Sequence, residues 1–126
     1  MNAHTLAKNA YGPTATPIKT ARATEYEAFA RTTSRMKAAN AGPGRRVKAI
    51  AQTIHENRKL WALLSTDLAD SGNMLPEALK AQLLSLAEFT RQHSSKVLRG
   101  EANLDTLIEI NTAVMRGLRG KVEAAA

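Results

Sequence analysis

Two apolar stripes, each interrupted by one asparagine, constrain this chain more than any other feature. Leu104, Leu107, Asn111, Val114 and Leu118 step by three and four residues, as do Val47, Ile50, Ile54, Asn57, Trp61, Leu64 and Leu68. That spacing lays each set along one face of a helix, and such a face must bury itself against another helix. A seam asparagine costs stability unless its amide finds partners, and it can fix register or select a neighbour. Three arrangements fit. The amide reaches water at a bundle edge, pairs with a second buried amide, or faces a groove that takes an incoming helix. In the third, it recognises backbone amides while the surrounding leucines supply affinity.

The punctuation between stripes predicts the remaining elements. Residues 1–23 read as a short helix over Ala3–Tyr11 and an arm, because Gly12-Pro13 and Pro17 interrupt a stretch with no apolar period. Thr24-Glu25-Tyr26-Glu27 is a capping box ahead of Tyr26, Phe29, Thr33 and Met36. It predicts a helix to about Asn40, stopped by Gly42-Pro43-Gly44. A second helix is expected from about Arg45 to Ser71, with its apolar face widening at Leu60, Trp61, Leu63 and Leu64, and with Gly72-Asn73 as its stop. Pro76 suits the first turn of a third, which carries Leu79, Leu83, Leu86, Thr90, His93 and Val97 on one seam with Phe89 beside it. Gly100 ends that helix, Asn103 caps a fourth, and Gly120 ends the fourth. No segment alternates convincingly with period two. The expectation is therefore an all-α protein: an antiparallel bundle of four main helices over residues 24–120, with residues 121–126 as a tail.

At 126 residues the chain is expected to form one domain, large enough to need no disulfide or metal staple. Its lack of cysteine excludes a disulfide scaffold, a thiolate metal site and a cysteine nucleophile together, and fits a reducing compartment. The opening Met1–Lys8 has no apolar core of signal-peptide length, and the longest evident apolar run is Leu60–Leu64. A cytoplasmic protein without membrane insertion is the expectation.

Catalysis finds little support. His55-Glu56 has no second histidine one helical turn on, and no glycine-rich phosphate loop is present. Glu88 and His93 lie five residues apart, on different helix faces. The reading is a non-enzyme with no catalytic set, no cofactor and no metal site, and His93 on its apolar seam reads as a core histidine before a ligand.

Charge is distributed unevenly. Residues 1–50 hold nine Lys/Arg against two Glu, while residues 51–126 hold nine of each sign, so the net +7 sits entirely in the first part. Lys96, Arg99, Arg116 and Arg119 occupy last turns of the expected helices, where the helix dipole favours positive charge. Arg45, Arg46 and Lys48 stand at a helix start, where it does not. With Arg31, Arg35 and Lys37 they form a basic cluster that helix stability leaves unexplained, and they point to an anionic partner.

Several stretches carry a family resemblance. Leu107-Ile-Glu-Ile-Asn-Thr-Ala-Val-Met-Arg-Gly-Leu118 is the most specific, joined by His55–Trp61, Asn73–Leu79, Leu86–Ser94, Thr24–Tyr26 and Ala10–Pro13. Together they resemble the FlaF family of flagellar biosynthesis regulators over roughly residues 1–120. The resemblance implies a cytoplasmic protein that acts on flagellin after transcription, promoting its synthesis or export as a flagellin chaperone. Flagellin, through its terminal helices, is then the expected partner. An adaptor role toward a second flagellar regulator such as FlbT is compatible with that. The alternative is a regulator that binds flagellin mRNA through Arg31, Arg35, Arg45, Arg46 and Lys48, although the chain lacks an aromatic stacking surface. The resemblance is densest around Asn111. Asn57, Trp61, His93, Asn111 and Met115 are the candidate partner contacts, with Asn111 expected to face the partner.

Overall fold

The computed structural model describes residues 21–41 and 46–125. The short helix and most of the arm expected over residues 1–23, the break at Gly42–Gly44 and Arg45 lie outside them. Four helices run in chain order: α1 (Ala21–Ala41), α2 (Val47–Ala69), α3 (Glu77–Leu98) and α4 (Asp105–Ala125). No strand occurs among the described residues. The architecture is the all-α bundle that the apolar periods predict.

Side-chain pairs fix the directions. Phe29 meets Trp61 and Arg35 meets Glu56, so α1 and α2 are antiparallel. Asn40 donates to Asp105 and Asn111 approaches Met36, which sets α4 antiparallel to α1. Arg58 reaches Arg91 and Ser95, which places α3 alongside α2. The helices pack in the order α1–α2–α3–α4 around a square, with α4 returning to α1. Three of the four sides are well packed, and the α3–α4 side is sparse.

The core comprises two apolar clusters. One gathers Met36, Ile50, Ile54, Val97, Leu104 and Leu107 at the end holding the α3–α4 connection. The other gathers Phe29, Trp61, Leu64, Leu68 and Val114 toward the α2–α3 connection. Each fully buried apolar side chain contributes roughly 1.5–3 kcal/mol, so these positions carry the fold. The stripes on α2 and α4 supply most of them, as their spacing predicts. Val47 departs from its stripe at 69% exposed, and Leu63 lies at 68%, so the widened face of α2 is not enclosed there.

Helix ends agree with the sequence in part. Gly100, at φ 77°, ends α3 with its N–H donating to the Val97 carbonyl while the Glu101 N–H donates to Lys96. That pairing satisfies two orphaned carbonyls, and the left-handed φ is one that glycine adopts without a Cβ penalty. Asn103 caps α4 by accepting the Asp105 N–H at 3.0 Å. Pro76 stands one position before the first turn of α3, as its N-cap. The capping box does not start α1, because the helix is already formed at Ala21 and Thr24 lies inside it. Gly72 has no left-handed φ, and α2 ends at Ala69, where Asp70 turns extended. There the Asn73 side chain donates to the Asp67 carbonyl and accepts the Leu75 N–H, a side-chain turn that replaces the expected glycine stop. Gly120 does not end α4, which continues to Ala125.

Candidate functional site

The two seam asparagines lie inside the bundle, between the apolar clusters. Asn57 and Asn111 are both 0% exposed, on helices diagonal to one another. The Asn111 amide donates to Asn57 Oδ1 at 2.8 Å and approaches Met36 Sδ at 3.7 Å, while Trp61 Nε1 donates to Asn111 Oδ1 at 3.0 Å. The buried-pair arrangement is the observed one, which corrects the expectation that Asn111 faces a partner. A diagonal pair of helices is linked this way by two buried hydrogen bonds, which set their register. Thr33, Thr90 and Ser94 are also fully buried, and their hydroxyls have no partner among the described residues, nor does Asn57 Nδ2.

The open surface lies elsewhere, on the sparse α3–α4 side. An opening of about 200 Å³ is floored by Leu64 and Val114, walled by Leu79, Leu83 and Leu86 of α3, and faced by Ala113 and Gly117 of α4. Leu75 and Glu25 stand at its rim. The three α3 leucines are only half-buried, so the free protein leaves a strip of apolar helix face incompletely covered. A methyl group added at Gly117 would meet nothing within 4 Å. Near the α3–α4 connection, His93 Nε2 donates to the carbonyl of Asn103 in the connecting segment at 3.1 Å. Phe89 stacks on His93 one turn earlier, centroids 5.4 Å apart, and extends the strip at 45% exposure. The opening forms a wedge whose lining lies toward the α2–α3 connection, away from the end that His93 and Asn103 tie together.

Of the five candidate contacts, the structure joins Asn57, Trp61 and Asn111 in the core and places His93 at the tied end, away from the wedge lining. Met115 is half-buried against the cluster around Trp61. The wedge residues Leu79, Leu83 and Leu86 appear in the sequence only as a core seam. The signal that marks them is their pairing with Ala113 and Gly117, two small residues one turn apart on the helix that faces them.

The basic cluster lies on the opposite side of the bundle. Arg35 and Arg46 line a shallow groove of about 450 Å³ between α1 and α2, floored by Ala38, Ala39 and Ala49. Lys48 lies beside Arg46, and Arg31 is one turn before Arg35. Lys37 is on the other flank of α1, one turn from Asn40 and its α4 partner, and does not join them. Arg35 is partly neutralised by Glu56 at 3.3 Å. On α3, the Arg91 guanidinium and the Gln92 amide hold the Glu88 carboxyl down at about 2, an ion pair internal to that helix.

No described helix is long and apolar enough to cross a membrane, and no group of three metal-ligating side chains occurs among the described residues. A family profile described as flagellar protein FlaF matches residues 7–118 of this chain. Comparisons with curated proteins and with solved structures give no match.

Proposed function

The chain belongs to the FlaF family of flagellar proteins, and from that premise we propose that it is a cytoplasmic chaperone that binds a terminal helix of flagellin before export. The wedge between α3 and α4 is the observation that carries this reading. Terminal segments that form amphipathic helices assemble with each other if left free, and an apolar seat of helical geometry holds one of them apart. Leucines at the wall supply area, and the small Ala113 and Gly117 let a helix backbone approach α4 closely. The buried asparagines contribute rigidity to the wall behind the seat and do not touch the guest.

The test is a binding titration of the purified protein with flagellin and with flagellin lacking one or both termini. Full-length flagellin is expected to bind, with affinity lost on removing one terminus. Undiminished binding after both termini are deleted would sink the helix-in-groove reading.

A further inference from the structure

The two halves of α3 are held differently. Every hydrogen bond tying its described residues to another element involves residue 91 or later: Arg58 to the Arg91 carbonyl and to Ser95 Oγ, and His93 to Asn103. Val97, in the same half, is packed into the core. The first half, Glu77–Ala87, has no such tie and no fully buried side chain. Its ion pair between Glu77 and Lys80 is local. At the junction stands Thr90, fully buried, with a hydroxyl that lacks a partner among the described residues.

We propose that α3 pivots on its anchored second half, so that Glu77–Ala87 swings away from α4 and widens the wedge to admit the guest helix. This rests on reading the wedge as the seat of that helix. Two features bear on the cost of the motion. The leucines leaving the bundle are already half in water, but Leu83 and Leu86 pack on the cluster of Trp61, Leu64 and Val114. The swing therefore uncovers apolar core that the guest helix covers again. The hydroxyl of Thr90, at the junction, gains water as the first half departs, and a buried hydroxyl without a partner is costly to keep. A guest helix with apolar residues at the spacing of Leu79, Leu83 and Leu86 then covers the face that α3 exposes.

Amide hydrogen exchange on the intact protein tests the pivot without flagellin. Amides of Gln82–Ala87 are expected to exchange on the order of tenfold faster than those of Arg91–Leu98, as for a locally opening segment. Equal protection overturns the proposal. Thr90→Val removes the unpartnered hydroxyl at the junction without touching the wedge surface. It is expected to slow exchange of Gln82–Ala87 and to weaken flagellin binding by about tenfold, because the open state becomes rarer. Thr90→Ser, which keeps a hydroxyl, should behave like the wild type. Slowed exchange with unchanged binding, or unchanged exchange in Thr90→Val, also overturns the pivot. A wild type that shows the exchange gradient but binds no flagellin leaves the pivot standing and removes the proposed function.

Discussion

At the scale of single residues, Asn57 and Asn111 show how equal sequence signals diverge in space. Each interrupts an apolar stripe at the same place, and the two are bonded to one another. Their loads differ. Asn111 satisfies both Asn57 Oδ1 and the Trp61 indole, whereas Asn57 offers one acceptor and keeps an unpartnered Nδ2. Replacing Asn111 by Leu therefore abandons two buried polar groups, at roughly 1–3 kcal/mol each. Asn57→Leu abandons one and relieves one. Chemical denaturation is expected to show Asn111→Leu as the more damaging change, and the opposite order would mean that the network is apportioned differently. The sequence makes the asparagines conspicuous but cannot choose between edge, pair and groove. That choice depends on α2 and α4 lying diagonally, which no local spacing encodes.

At the scale of helices, legibility follows how local the cause is. The Gly100 stop and the Asn103 cap act within a few residues and can be read directly. Gly117 and Gly120 carry the same letter with another meaning, since α4 runs through both. A glycine inside a helix costs about 1 kcal/mol against alanine, too little to end a helix with a long packed face. The face of α4 is such a case: Leu107, Asn111 and Val114 are all buried, as is Leu104 just before it. Gly117 is therefore an element whose cost in stability has no return within the fold. Gly117→Ala is expected to raise stability by up to about 1 kcal/mol in a thermal melt, because the new methyl meets open space. If the guest helix packs against this position, the same variant binds flagellin more weakly, and Gly117→Leu more weakly still. Leucine there with wild-type affinity would place the guest elsewhere.

At the scale of the whole molecule, the bundle separates two surfaces of opposite character. The apolar wedge lies between α3 and α4, and the basic groove lies between α1 and α2, across the square from it. Composition already locates the charge excess in residues 1–50, yet it cannot reveal that Arg35 and Arg46 share a groove while Lys37 faces away. Nor can it show the wedge, which depends on α3 and α4 being neighbours that pack sparsely. The groove has an alanine floor and no aromatic side chain in its lining, so it offers phosphate contacts without base stacking. Any affinity for the flagellin leader RNA is then expected to be indifferent to sequence and to fall steeply between about 50 and 200 mM salt. Changing Arg46 and Lys48 to Gln should lower the salt slope by about 0.7 for each phosphate of a single strand that is no longer neutralised. The same double variant should bind flagellin as the wild type does, since the wedge is on the far face and its walls are mainly leucine. Parallel titrations with RNA and flagellin separate the two surfaces. A fall in flagellin affinity would mean that the guest reaches around the bundle to the α1–α2 groove, and would join the two surfaces into one site.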